Sequence, residues 1–421
     1  MSGLKVLVVG ASIAGPATAY WLAKAGAKVT VIERFAELRR GGQAVDIRTA
    51  GVFVMRKMIG MEAQVRARST KEEGVSFVGA DGRLLGTIRA TGNPDQQSLV
   101  SEYEIFRGDL AKILFDLTKD NKNVNYVFNE HITSMQLSET EDGPVKVEFA
   151  NGLAASQYDL VVACDGATSR TRAMGLGCSP RDHVYSSNIW TAYFSAKQDF
   201  LSGSRIGQGY SAVGGRFVSV STDPAGFSRI MLMAIHARGR SDAMLPFRVA
   251  LSQGEEGLKA YIAEHYRGAG WKTDLFLQEM VNADDFYASE IVQVKLPRIH
   301  KDRFVLVGDA GYAAGPTGGG TSLALTGAYI LAGEIARHPG NLAAGLEGYS
   351  RQMTPIIKEM QKIPPFVSTI AAPQTAWGIW SRNSIFALVT RSGLVEFASK
   401  YLANAFSSTD KFPLPEYQWK N

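Results

Sequence analysis

Between Leu4 and Glu33 the chain runs strand, glycine turn, helix, strand and acid within thirty residues, an order that few folds accept. Val6–Val9 is a continuous apolar run, as a buried parallel strand requires. It ends in Gly10-Ala11-Ser12-Ile13-Ala14-Gly15 and passes into Pro16–Ala25, a helical pattern closed by Gly26. Lys28–Ile32 reads as a second strand that delivers Glu33. This is the βαβ unit that binds dinucleotides. Gly10 makes the tight turn and Gly15 lets the helix pack on the strand, while the turn through Ser12, Ile13 and Ala14 sets unpaired N–H groups and a positive dipole end toward a pyrophosphate. Ser12 stands where a middle glycine is usual; it is small and donates its own hydrogen bond, so the change is tolerated. Glu33, 18 residues after Gly15, accepts from both ribose hydroxyls and repels a 2′-phosphate, which favours the adenosine of FAD or NAD. The alternative for these residues is a purely structural βα turn.

Composition narrows the class. At about 150 residues per domain, 421 residues make two or three units. Glycine, 43 residues or about 10% against a usual 7%, is in excess, largely in two short runs. Lys and Arg number 45 against 40 Asp and Glu, an even mixture at +5 that argues against an acidic disordered tail or a dedicated nucleic-acid binder. Two cysteines, Cys164 and Cys178, make a reducing, cytoplasmic setting the expectation. The first apolar run is too short for a signal-peptide core, and the six histidines show no metal-ligand spacing, so no metal is expected.

Two further strands end in acids. Tyr158–Cys164 leads into Asp165-Gly166 and a polar helix start running to Arg172. Arg303–Val307 leads into Gly308-Asp309, then Pro316-Thr317-Gly318-Gly319-Gly320 and a helix from Thr321 to Ala336. Gly318, Gly319 and Gly320 open that helix with bare N–H groups, an anion nest, where a plain helix cap is the other reading. Asp165 equally suits an N-cap.

These three ordered motifs resemble the group A flavoprotein monooxygenases of the para-hydroxybenzoate hydroxylase type, over about residues 4–360. The resemblance implies FAD, with Asp309 on a ribityl hydroxyl and the Gly318–Gly320 nest at the flavin N1 and C2 carbonyl edge. It sets Arg107, in Phe106-Arg107-Gly108-Asp109, against the flavin and its pyrophosphate, though a surface arginine at a helix start looks the same. Gln43 and Arg48 fall in the loop and strand that wrap the isoalloxazine, and Arg34, Arg39 and Arg40 precede them as flavin contacts or as a solvated face. The Asp165 motif serves FAD packing and the encounter with the reductant, through Arg170 or Arg172. Many relatives carry a histidine where Tyr312 stands, so no histidyl flavin link forms there and the FAD is non-covalent. One dinucleotide fold implies that NADPH or NADH binds transiently. O2 then gives a flavin C4a-hydroperoxide that oxygenates an aromatic or polycyclic small molecule, as in secondary metabolism or antibiotic modification. A flavin oxidase, dehydrogenase or reductase shares every motif, and a scaffold that holds FAD for structure alone is the non-enzymatic alternative.

The expected fold is α/β: a Rossmann-like FAD-binding domain of glutathione-reductase type (1–73, 105–180 and 290–362) interleaved with a mixed-sheet substrate domain (74–104 and 181–289), then a C-terminal helical segment (363–421). Asp81-Gly82 marks a hairpin within 74–89, and Tyr185–Lys197, Gly214–Thr222 and Ser228–Ala237 are strand-like. Alternation places Trp190, Ala192 and Phe194 on one face, which by resemblance faces the substrate pocket, although aromatic stripes also build ordinary cores; Tyr210 and His236 are further substrate candidates, with Met231, Met233 and His236 open to either reading. No catalytic base is named by the sequence. After Lys362 the tail reads as two short amphipathic helices, the second over 394–406; Arg382, Arg391 and Lys400 interrupt the apolar face, so packing over the substrate entrance is expected ahead of membrane contact. The resemblance favours a monomer or weak dimer.

Overall fold

The computed structural model describes residues 3–39, 41–90, 101–138, 140, 143–237, 242–363, 372–392 and 413–419. The chain opens with β1 (Lys5–Val9), α1 (Ala14–Lys24) and β2 (Lys28–Glu33), followed by β3 (Ala44–Asp46), α2 (Ala50–Lys57) and α3 (Met61–Arg68). The hairpin β4 (Gly74–Val78) and β5 (Leu84–Arg89) precedes β6 (Glu104–Phe106) and α4 (Arg107–Asp116). Next come β7 (Val124–Phe128), β8 (Ile132–Gln136), β9 (Val145–Phe149), β10 (Ser156–Tyr158), β11 (Leu160–Ala163) and α5 (Arg170–Leu176). The long β12 (Val184–Ala196) leads into β13 (Ile206–Ala212), β14 (Arg216–Thr222) and β15 (Ser228–Ile235), then helices α6 (Leu245–Ser252), α7 (Gly254–Tyr266) and α8 (Thr273–Val281). The chain continues as β16 (Tyr287–Val294), β17 (His300–Lys301), β18 (Phe304–Leu306), α9 (Asp309–Tyr312), α10 (Gly320–Arg337), α11 (Leu342–Met360) and α12 (Ala376–Arg391).

The glycine-motif strands form one six-stranded sheet in the order β17-β18-β11-β1-β2-β7. β1 lies parallel to both β2 and β11, and β18 is parallel to β11. Both faces are covered, which is why β1 is apolar at every inner position. Val6 and Val8 pack with Trp21 of α1 and Tyr329 of α10, whereas Leu7 packs with Val147 and Tyr158 from the small β10-β9-β8 sheet.

A second, seven-stranded sheet runs β16-β12-β15-β14-β13-β4-β5. Helices α6–α8 cover one face, where Phe247, Ile262 and Phe276 pack with Trp190, Leu232 and Val218. The ribbon β3–β6 bridges toward the first sheet, and Arg107 N–H donates to the Gln43 carbonyl at 3.0 Å.

The first of the two expected tail helices is the 16-residue α12, which carries both the 377–380 and the 385–389 apolar stretches and is started by the Thr375 hydroxyl, which accepts from Gly378 N–H. α12 lies on the outer hairpin, with Phe386 against Phe77 and Arg382 donating to Ser211 Oγ at 3.0 Å. The second expected helix and Lys400 fall outside the described residues, as does Arg40. Among the described residues no helix is long and apolar enough to cross a membrane.

Residues 413–419 return to the first sheet's helices. Trp419 lies 4.8 Å from Trp21, Tyr329 OH donates to the Pro415 carbonyl at 2.9 Å, and Tyr417 OH donates to the fully buried Glu334 at 2.8 Å. Gly333 leaves the room, since a Cβ there would stand 2.2 Å from the Tyr417 ring. Tyr417→Phe keeps the ring and removes that donor, so it is expected to cost about 1–3 kcal/mol, read as a lower thermal unfolding midpoint.

Candidate active site

The cleft forms at the carboxyl ends of the parallel strands, where open α/β sheets bind ligands. Gly10 ends β1 at φ +105°, and a Cβ there would meet the Cys164 carbonyl at 2.8 Å. A Cβ on Gly15 would stand 1.8 Å from the Gly10 carbonyl oxygen, so glycine is the residue that lets α1 begin this close to the strand. No side chain caps α1, which leaves its first N–H groups to an external acceptor. Pro16 sits in that first turn, where a missing N–H is harmless. Glu33 is fixed beside the turn, accepting from Ala11 N–H at 2.8 Å and Phe35 N–H at 3.2 Å. Ser12 Oγ accepts from the Arg107 guanidinium at 3.1 Å, so the arginine of α4 reaches the glycine turn. Ile13 and Ala14 are buried beneath the turn.

The other wall follows from Gly308, at φ +69°, whose absent Cβ would lie 2.9 Å from that of Ala14. That contact brings Asp309 to the N-terminus of α1. The Asp309 carboxyl opens into the cleft while protein surrounds it, and this desolvation raises its pKa against the opposing pull of Arg107. Of the three glycines at the start of α10, Gly318 takes φ +74° and a Cβ on Gly319 would stand 2.0 Å from the Met360 methyl, whereas a Cβ on Gly320 would meet Asp309 Oδ1 at an ordinary 3.4 Å. No side chain caps α10 either. Ser322 Oγ on its first turn accepts from Arg48 N–H at 2.9 Å, tying the 41–48 loop to this helix. The Arg48 guanidinium itself pairs with Asp46 at 2.9 Å.

Two uncapped helix starts, an acid at the end of β2 and a carboxyl open between them are the donor and acceptor set that FAD requires. α1 would hold the pyrophosphate, Glu33 the ribose, and Asp309 with α10 the flavin end.

Several expected residues stand elsewhere. Arg34 is exposed and lies over the Phe35 ring. Asp165 accepts from Ser169 Oγ and from Thr171 N–H at 3.1 Å, bracing the start of α5, whose N-cap is Ser169. Arg172 does not reach out to a reductant: it is fully buried and donates to the carbonyls of Ala167 and Ala310, each at 2.9 Å, and of Pro180 at 2.6 Å. Arg170 is the exposed member of that pair. Tyr312 also turns inward, its hydroxyl 2.9 Å from that of Tyr349 among α10 and α11.

A cavity of about 290 Å³ lies under the second sheet and shares the Gly42–Ala44 segment with the cleft. Tyr193, Met231 and Ser219 form one cross-strand row on this face. The next row, Ala192, Leu232, Val218 and Tyr210, faces the helices. Trp190 and Tyr210 therefore turn away from the cavity: Trp190 stacks on Phe247 at 5.2 Å, and Tyr210 OH donates to the Ala269 carbonyl at 2.8 Å. His236 lies past the end of β15 with its ring 5.8 Å from that of His265 on α7. Phe194 belongs to the helix-covered core yet also borders the cavity.

The cavity adds charged groups that the sequence reading did not single out. Arg229 donates to Asp223 at 2.7 Å and Asp285 at 2.8 Å, and its guanidinium lies 4.7 Å over the Phe106 ring. Glu72 and Glu104 also line the cavity. Burial, then the neighbouring Glu104 charge, push Glu72 up to about 9, and burial raises Glu104 as well. The folded chain thus keeps the Glu72 proton to about pH 9 whereas an unfolded chain releases it near 4.5. Rising pH across that window favours unfolding. Glu72→Gln cannot ionise and is expected to flatten the fall of the thermal midpoint between neutral pH and about pH 9.

Residues 3–362 match the FAD binding domain family. The chain is 34% identical to the flavin-dependent monooxygenase eupH of a Phoma species, covering 99% of this chain and 98% of that protein. The crystal structure of the tetracycline destructase Tet(55) superposes with a TM-score of 0.76 at 31% identity, over 99% of this chain and all of the other. Klebsiella pneumoniae HpxO, solved with FAD and uric acid, shares the fold at TM-score 0.72 and 18% identity over 98% of each chain. The chain belongs to the FAD-binding family of group A flavin monooxygenases. It is an FAD-dependent monooxygenase, with NAD(P)H as its co-substrate.

Proposed function

We propose that the cavity under the second sheet is the oxygenation chamber and that its substrate is an aromatic or polycyclic small molecule. The observation that carries this is the shared wall: Gly42–Ala44 lines the cavity, Gln43 holds Arg107, and Arg107 reaches Ser12 in the glycine turn. A molecule in the cavity thus lies one segment away from the cofactor cleft. FAD, when bound, carries the two electrons of NAD(P)H to O2. One oxygen atom enters the substrate as a hydroxyl and the other leaves as water, with one proton consumed.

The chain's own residues set the conditions for that chemistry. The first-turn N–H groups of α10 aim donors and a positive dipole end into the cleft, where they stabilise negative charge. Asp309 opens into the cleft beside these donors, its pKa raised by desolvation against the pull of Arg107. Tyr193, Phe217 and Phe106 give the cavity flat apolar faces that exclude water and orient a ring.

The test is NAD(P)H oxidation and O2 uptake by the FAD-loaded enzyme with a panel of phenols and polycyclic aromatics. Binders of the cavity are expected to speed NAD(P)H oxidation and to return products one oxygen heavier. Stoichiometric H2O2 with every unchanged compound would favour an oxidase.

A further inference from the structure

Three helices begin at the cofactor cleft, and one short segment holds their other ends. α1 starts at the glycine turn and α10 at Gly320. α2 starts at Ala50, where a Cβ on Gly51 would stand 2.8 Å from Ser322 Oγ of α10. α10 packs against both α1 and α2. Residues 413–419 meet each of the three in its last turn. Trp419 lies 4.8 Å from Trp21 of α1, and Glu416 pairs with Lys57 of α2 at 2.6 Å. Tyr417 donates to Glu334 of α10 at 2.8 Å, with the Arg337 guanidinium 4.9 Å over its ring. Tyr417 and Trp419 also close on Tyr329, at 5.1 and 5.7 Å between ring centroids.

The segment is suited to lie as a strap. Pro413 and Pro415 fix their own φ and push Leu414 toward extended backbone, and Leu414 packs on the core of the first sheet. A segment already stiff in the unfolded chain loses less freedom when it docks. What it covers is the seam between two cofactor helices: Trp21 and Tyr329 are fully buried and meet edge to face at 4.9 Å.

α10 is about 27 Å long and α1 about 16 Å, and rods of this kind carry a tilt from one end to the other. Letting their far ends part would therefore move the first-turn N–H groups at the cleft. Hydrogen bonds from such donors weaken steeply as distance and angle depart from their narrow range.

We propose that residues 413–419 are a clasp that sets the affinity for FAD from the far ends of the cofactor helices, with Tyr417 and Trp419 as positioning residues. This rests on α1 and α10 holding the cofactor. Coupling between two sites is reciprocal, so bound FAD tightens the clasp by the factor with which the clasp tightens FAD.

The test is release of FAD from the diluted full-length holoenzyme, read by the gain in flavin fluorescence at a temperature where each variant is folded by circular dichroism. Tyr417→Phe/Trp419→Ala is expected to hold FAD at least about fivefold more weakly than the wild type. Phe247→Ala, a truncation in the core under the second sheet, is expected to stay within about twofold of wild-type affinity despite its loss of stability. In the wild type, hydrogen exchange of the 414–419 amides is expected to slow on FAD loading by more than that of α8. Wild-type affinity in the strap variant, an equal loss in Phe247→Ala, or strap amides slowed no more than those of α8 would overturn the proposal. The exchange measurement needs no substitution and decides even if the strap variant does not fold. Full flavin content in Gly15→Val would remove the cofactor-helix reading, whereas wild-type affinity in the strap variant beside a flavin-free Gly15→Val would remove the clasp alone.

Discussion

Gly15→Val purifies without flavin. The helix that must present its N–H groups to the pyrophosphate starts so close to β1 that even a methyl on residue 15 would lie 1.8 Å from the Gly10 oxygen. Gly10 has little room to give way, because its φ is positive and the Cys164 carbonyl stands only 2.8 Å from where a Cβ on Gly10 would lie. Relief must come from lifting α1, which carries the donors away from their acceptor. Overpacking of this kind costs about 1–3 kcal/mol, so FAD affinity falls by up to about a hundredfold. Visible absorbance per protein and titration of the apoprotein with FAD measure it. Gly15→Ala is expected to lie between the two, and wild-type flavin content in Gly15→Val would show that α1 does not hold the cofactor.

Arg172→Met separates a brace from a docking group. The guanidinium joins the Asp165 loop, α9 and the Pro180 turn through three carbonyls, and none of it is exposed. Methionine fills much of the volume but strands those carbonyls, at an expected cost of about 3–5 kcal/mol. Thermal unfolding checks the loss. The KM for NAD(P)H of the folded enzyme is expected to stay within about twofold of the wild type, since a sealed side chain contributes no contact to a transient ligand. A large rise in KM with unchanged stability would return Arg172 to the docking role. Arg170→Ala, at the exposed position, is the companion measurement.

The cofactor cleft was legible because its requirements are local. Gly10, Gly15, Gly308 and Gly318 answer needs of φ or clearance that nearby residues create, so the chain order of strand, glycine and acid carries them. The substrate side was not legible in the same way. β12 alternates between two buried faces, one under α6–α8 and one on the cavity, and alternation is identical whichever face is chosen. The even-numbered row with Trp190 went to the helices because Phe247, more than fifty residues later, stacks there. Arg172 resembles any basic residue after a turn until Ala310 and Pro180 bring their carbonyls to it. Glu72 and Glu104 come to one cavity wall only in the fold, and neither residue signals the other in sequence.

The most direct test of the account is turnover under isotopically heavy O2, with NAD(P)H and an aromatic substrate from the cavity-binding panel, followed by mass spectrometry of the product. The structure predicts one heavy oxygen atom per product molecule and one NAD(P)H oxidised for each. Unlabelled product with stoichiometric heavy H2O2 would contradict oxygenation and leave an FAD oxidase on this fold.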